Sequence, residues 1–327
     1  MDTYPVSSKG LEKYYHVDGK QLGQHYKDHL SDYHSWNQKS HATKWMLFPE
    51  NLGSYLSLDE TALSNGELYT LLTNKAAKGR KGSIVAMIKG TRSEDISNIL
   101  LKLPRKKRKK VKEVTLDMAP SMNKIVNECF PRASKVIDRF HVQKLAYDAL
   151  QEIRIKHRWE AIDEEAEEMK YAAFKERDYK PTILDNGDTK KQLLARSRYL
   201  LFKSQDKWSP NQKCRAAILF AQYPDIKKAY DLTHSLRALF NSKKAKEVIL
   251  TKLAVWYDKV EKAGFNSFQS VLKTMQAHYA NILNFFDNRS TNAAAESFNA
   301  KLKSFRSAVR GVRDLNFFLF RVAKIYA

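Results

Sequence analysis

"EVTLDMAPSMNKIVNECFPRASKVIDRFH", residues 113–141, packs two apolar runs around one helical stretch. In "VTLD", Val114 and Leu116 share one face and Thr115 and Asp117 the other, the two-residue period of a strand. "SMNKIVNECF" reads as a helix stopped by Pro131, and "SKVID" as a second strand. That strand runs into Asp138, with His141 three residues later. An acid and a histidine at the end of a buried strand require an explanation from the rest of the chain.

Upstream, "YLSLDETAL", "LYTLLTNK" and "SIVAMIKG" are short strand-like runs separated by "SNGE" and "AAKGRKG". "TRSEDISNILLKL" follows as a helix, with Ser93 as N-cap and Ile96, Ile99, Leu100 and Leu103 at helical spacing. The predicted order is β-β-β-α-β-α-β, which places the chain in the α/β class with a mixed sheet flanked by helices. From about 139 to 286 no strand pattern appears. Amphipathic repeats predict an all-α insertion, with Trp159, Trp208 and Trp256 in its core. The final stretch is helical and broken at Gly311. The expected organisation is a polar, partly helical segment over 1–50, the first part of an α/β domain over 51–145, the insertion over 146–286, and closing helices over 287–327.

The chain has 327 residues, 43% hydrophobic, with 58 Lys and Arg against 36 Asp and Glu, a formal charge of +22. Such an excess favours a polyanionic partner, foremost nucleic acid. Cys129 and Cys214 stand far apart without a C-x-x-C, which excludes a disulfide scaffold and a zinc ribbon. The first residues lack a signal-peptide core and no apolar run approaches the ~18 residues of a membrane span. A soluble cytoplasmic protein, associated with the nucleoid and not with a membrane, is expected.

Alternation in "YLSLD" sets Tyr55, Ser57 and Asp59 opposite Leu56 and Leu58. Asp59 and Asp117 thus both lie near strand ends, where ligand sites of such sheets gather. Converging carboxylates call for a cation, and oxygen ligands suit Mg²⁺; as plain alternatives, either acid caps a helix or starts a turn. In "STNAAAESFNAKLKSFR", Glu296, Asn299 and Lys303 share one helical face, apart from the stripe of Phe298, Leu302 and Phe305.

"DETAL", the 116–145 stretch containing Asp-Arg-Phe-His, and "ILNFFDNRSTNAAAESFNAKLKSFRSAVRGVRDLNFFLFRVAKIY" together resemble the DDE transposases of bacterial insertion sequences, in the ISL-three family, over roughly residues 50 to 327. The resemblance implies a ribonuclease-H-like catalytic domain interrupted by the all-α insertion. It implies DNA strand cleavage and strand transfer that move an insertion sequence, with two Mg²⁺ or Mn²⁺ ions per site. Carried over position by position, Asp59, Asp117 and Glu296 are the metal ligands. Asp138 is the alternative second ligand, and His141 completes an Asp-x-x-His signature that would contact phosphate or the scissile group. DNA contacts are expected from Arg105, Lys106, Lys107, Arg108, Lys109, Lys110 and Lys112 in the loop before the fourth strand, from Arg139, and from Asn299, Lys301, Lys303, Arg306, Arg310 and Arg313.

The implied partners are transposon ends and target DNA, engaged by a dimer or higher assembly on paired ends. Two departures from the family pattern stand out. Ala293 and Ser297 replace glycines around the last acid, and no zinc-binding or helix-turn-helix region precedes residue 50. Recognition of the ends is therefore expected on a separate helix-turn-helix polypeptide or a longer chain. The other readings are a ribonuclease-H-like nuclease or resolvase without strand transfer, and a non-catalytic DNA-binding descendant.

Overall fold

A computed structural model describes residues 1–63, 66–309 and 314–327. Gly311, Arg310, Arg313 and the Ser64–Asn65 pair of the first predicted turn lie outside the described residues. The chain divides into two compact units, one of residues 1–138 with 280–327, the other of residues 139–279.

The first unit opens with α1 (Ser8–Tyr15) and α2 (Gly19–His25), then forms β1 (Trp45–Leu47), β2 (Tyr55–Ala62), β3 (Leu68–Asn74) and β4 (Ile84–Lys89). Helices α3 (Ser93–Leu100), α4 (Arg105–Arg108) and α5 (Pro120–Cys129) alternate with β5 (Glu113–Leu116) and β6 (Ser134–Ile137). The sheet order is β1-β4-β3-β2-β5-β6. Strands β5 and β6 run parallel to β2, and the other pairings are antiparallel. This is the predicted mixed sheet, widened by one strand. The extra strand comes from the leading segment, where Trp45–Leu47 pairs with Ile88–Ala86.

The second unit holds α6 (Arg139–Phe174), α7 (Lys190–Arg196), α8 (Pro210–Gln222), α9 (Pro224–Asn241), α10 (Lys246–Ala263) and α11 (Asn266–Ala277). Neighbours lock onto the long α6 through its backbone: Thr233 donates to the Ala146 carbonyl at 3.2 Å and Ser267 to that of Ala149 at 3.2 Å. Capping boxes at Thr189 and Ser209 start α7 and α8. Asp188, fully buried, accepts from Arg196 and from Arg215 at 3.0 Å, which joins these two helices. Trp256 is buried here and its indole donates to Leu232 at 2.9 Å. Trp159, expected in the core, is instead 60% exposed.

The chain then passes through α12 (Tyr279–Leu283) and α13 (Phe285–Asn288) to α14 (Ala293–Ala308) and α15 (Leu315–Tyr326) in the first unit. Phe298, Leu302 and Phe305 of α14 repeat at three- and four-residue steps and are almost fully buried. With Phe318, Leu319 and Val322 of α15 they cover Tyr69, Leu71, Ile84 and Met87 on β3 and β4. Leu56, Leu58, Val114 and Leu116 point to the opposite face, where α3 packs on β1 and β4 and α5 packs on β5. Ser93 is the first residue of α3 and not its cap, since Arg92 holds the cap position. The leading segment packs on α15 through Tyr26 and Tyr33 against Phe317 and Phe320.

Leu302 is the apolar centre of the α14 packing, with no exposed surface. Leu302→Ala should destabilise the protein by about 2–5 kcal/mol, the cost of a cavity in a packed core. Urea denaturation followed by circular dichroism would measure it, and an unchanged midpoint would refute this packing role.

Candidate active site

Three aspartates stand in one row. Ser57 pairs with Thr115, and Thr115 with Val136, so Asp59, Asp117 and Asp138 each lie two residues further along neighbouring parallel strands. The ladder continues to Asp138, whose amide donates to the Leu116 carbonyl at 3.1 Å. Parallel strands lie about 4.8 Å apart, so adjacent members of the row are one strand spacing from each other. Asp117 also accepts from the Ala119 amide at 2.8 Å, a tight turn that leads into α5 behind Pro120 at its first position. The turn reading and the site reading of this residue are compatible.

Helix α14 meets the row from above the same face. The Asn299 amide donates to Asp59 Oδ2 at 2.7 Å. One turn earlier, Glu296 brings a carboxylate oxygen within 4.8 Å of one on Asp138. The late acid therefore approaches Asp138, while its neighbour Asn299 orients Asp59. His141 follows three residues after Asp138, in the first turn of α6 and in the other unit.

The electrostatics are those of crowded acids. Glu60, half-buried next to Asp59, has its carboxyl pushed above the ordinary glutamate range, first by burial and then by the charges of Asp117 and Asp59. Below the row, Lys75 is sunk against Glu113 at 3.4 Å and the Thr115 hydroxyl. Burial pushes its ammonium down, and the Glu113 and Asp138 charges oppose that shift. Asn288 donates to the other Glu113 oxygen at 3.2 Å. Glu60, Lys75 and Glu113 escaped the sequence reading. The available hint was the polar alternation of Thr73 and Lys75 at the end of an apolar strand.

Hard oxygen donors from Asp59, Asp117, Asp138 and Glu296 on one sheet face suit a divalent cation such as Mg²⁺, and mutual repulsion among them gives that cation a reason to bind. The residues present therefore fit the group.

The expected DNA contacts divide by exposure. Arg105 to Arg108 form the short helix α4 and not a loop, before β5 and so at the opposite end of that strand from Asp117. Arg108 is buried and donates to the carbonyls of Leu103 at 3.0 Å and Cys129 at 2.7 Å. Arg306 is buried in a two-pronged pair with Glu67, at 3.1 and 3.3 Å, over the Phe318 ring. Asn299 serves Asp59. These three side chains are engaged within the protein. Arg139 donates to Asn241 at 2.9 Å in the helical unit. Arg105, Lys106, Lys109, Lys110, Lys112, Lys301 and Lys303 remain exposed, as does Lys107, which reaches the Pro49 carbonyl.

Two outcomes follow. Glu60 has a raised folded pKa, so stability present at acidic pH is lost as pH rises through that value. Glu60→Gln cannot ionise, so its melting temperature should exceed the wild type's at pH 7, with the gap closing toward pH 4. A gap independent of pH would contradict the crowding. Asn299→Leu keeps the size of the side chain and removes the donor to Asp59. It should weaken Mg²⁺ binding at least tenfold, read by isothermal titration calorimetry on the full chain, and wild-type affinity would contradict the orienting role.

The family model for DDE transposases of the ISL-three (ISL3) type, described as "Transposase", matches residues 56–322. No curated protein and no solved structure gives a significant match. The matched span covers well over half of the chain and includes all three aspartates and Glu296, and the chain belongs to the ISL-three family of DDE transposases.

Proposed function

We propose that this transposase cleaves DNA strands and joins the freed ends to target DNA at the acid row, moving an insertion sequence. Family membership brings DNA as the partner class and a divalent metal as the usual cofactor. The observation that carries the finer reading is the convergence of Asp59, Asp117 and Asp138 with Glu296 and Asn299 on one face of the sheet.

Asp59 with Asp117, and Asp138 with Glu296, would hold two Mg²⁺ or Mn²⁺ ions. When bound, such ions make an attacking oxygen more nucleophilic and stabilise charge on the leaving oxygen. The approach of Glu296 to Asp138 favours Asp138 as a ligand in its own right, beside Asp117 and not in place of it. Asn299 holds the Asp59 carboxylate in one orientation, so the site is set before substrate arrives. Lys301 and Lys303 on α14 and the exposed cations of α4 supply affinity for the backbone without reading sequence.

Water first attacks the phosphodiester at the element's end, breaking the bond to the 3′-oxygen and leaving a 3′-hydroxyl on one side of the nick and a 5′-phosphate on the other. That hydroxyl then attacks a target phosphodiester, forming one bond and releasing one alcohol. The second step conserves the number of phosphodiester bonds, so neither step requires ATP. Pairing two ends calls for at least a dimer, with a helix-turn-helix module on a separate polypeptide or a longer chain to choose them. Among the described residues no helix is long and apolar enough to cross a membrane; we place the protein in the cytoplasm, at the nucleoid.

A second reading, DNA binding without chemistry, draws on Ala293 and Ser297 at the start of α14, where the family carries glycines. A strand-transfer assay with pre-cut ends and Mg²⁺ or Mn²⁺ separates the readings: joined product, cleavage alone, or neither. Asp59→Asn, Asp138→Asn and Glu296→Gln should each reduce product on the order of a thousandfold or more, with anisotropy still showing DNA bound. Full activity in Asp59→Asn would remove the site.

A further inference from the structure

Arg154 on α6 is 4% exposed. Its Nε donates to Gln151 Oε1 at 2.6 Å and its Nη1 to the Leu194 carbonyl at 2.9 Å. Both partners are neutral. They satisfy hydrogen bonds at the end of α7 but bring no negative charge to offset a guanidinium taken out of water. The surroundings add positive charge instead. Arg158 lies one turn along the same helix, and Arg198 is tied to the same place by Gln151, whose Nε2 donates to the Arg198 carbonyl at 3.3 Å. Burial and these two cations together press the Arg154 guanidinium down to about 10.

The contrast with nearby cations is informative. Lys156 pairs with Glu160, Lys190 with Glu164, Lys191 with Glu165, and Arg196 and Arg215 with Asp188. Among the described residues, Arg154, Arg158 and Arg198 have no such acid. Beside them stand large side chains that an isolated helical bundle would bury. Trp159, next to Arg158, is 60% exposed, and Tyr199, next to Arg198, is 68% exposed. The Arg198 guanidinium lies 5.4 Å from the centre of the Tyr199 ring. Unpaired arginines attract phosphate, and open aromatic faces stack on bases. Bases within a duplex are already stacked on one another, so the rings select an unpaired strand.

We propose that Arg158 and Arg198, with Trp159 and Tyr199, form a binding surface for single-stranded DNA on the helical unit. The two exposed arginines hold phosphates, the buried Arg154 adds uncompensated positive charge behind them, and the two rings stack on bases. The proposal uses DNA as the family's substrate class and does not depend on chemistry at the acid row.

The test is anisotropy with the full chain, a fluorescein-labelled 20-nucleotide single strand or its duplex, and EDTA in place of divalent metal. Trp159→Ala and Tyr199→Ala should each weaken single-strand binding on the order of tenfold and leave duplex binding within about twofold. Arg158→Ala with Arg198→Ala should reduce the salt slope for the single strand by about 1.4, or 0.7 for each phosphate no longer neutralised. All four side chains are exposed, so melting curves should match the wild type. Wild-type affinity and slope in these variants would overturn the proposal, and so would equal losses on duplex. Asp59→Asn should bind the single strand normally, so a protein that proves unable to cleave DNA would leave this surface standing.

Discussion

The candidate site depends on the register of a single helix. The buried stripe of α14 at Phe298, Leu302 and Phe305 lies over β3 and β4. That seating turns Glu296 and Asn299 toward β6 and β2, where Asp138 and Asp59 wait. Rotation of α14 by one residue, about 100°, would expose the stripe and pull both polar groups away from the aspartates. Apolar burial, which has no direction of its own, thus fixes the direction of two polar groups. The Arg306–Glu67 pair pins the same helix further along.

The sheet does the complementary work. One face is apolar over β3 and β4 and polar over β2, β5 and β6. The change occurs between neighbouring strands, since Leu71 pairs directly with Asp59. Parallel pairing then places the three aspartates level with one another. A net charge of +22 does not reach into this row. The cations lie mainly on the surface, while at the strand ends burial, and after it the charges of Asp117 and Asp59, raise the pKa of Glu60. Lys75, the buried cation beneath them, is occupied with Glu113 and Thr115.

Much of this was legible because it is local. Alternation in "YLSLD" and "VTLD" gives the side of the sheet for Asp59 and Asp117, and helical spacing separates Glu296 and Asn299 from Phe298 and Leu302. What resisted reading depends on partners distant in the chain. Trp45–Leu47 is too short to announce a strand, and it becomes one because β4 offers an open edge. Arg108 and Arg306 look like free surface cations until Cys129 and Glu67 arrive. Trp159 carries the composition of a core residue, and only the helix packing shows that nothing covers it. Relative weights of Asp117 and Asp138 were also beyond the sequence, since they turn on which acid the late helix approaches.

The crowding around Glu60 has an evolutionary side. Glu60 is kept half-buried and beside the charges of Asp117 and Asp59 at the expense of folding stability, so its exchange for a neutral residue relieves that strain. Mutational loss of this acid then favours the folded state. Copies of such an element that lose it would remain well folded, still rich in exposed lysine and arginine. They would be ready material for proteins that occupy DNA without cutting it.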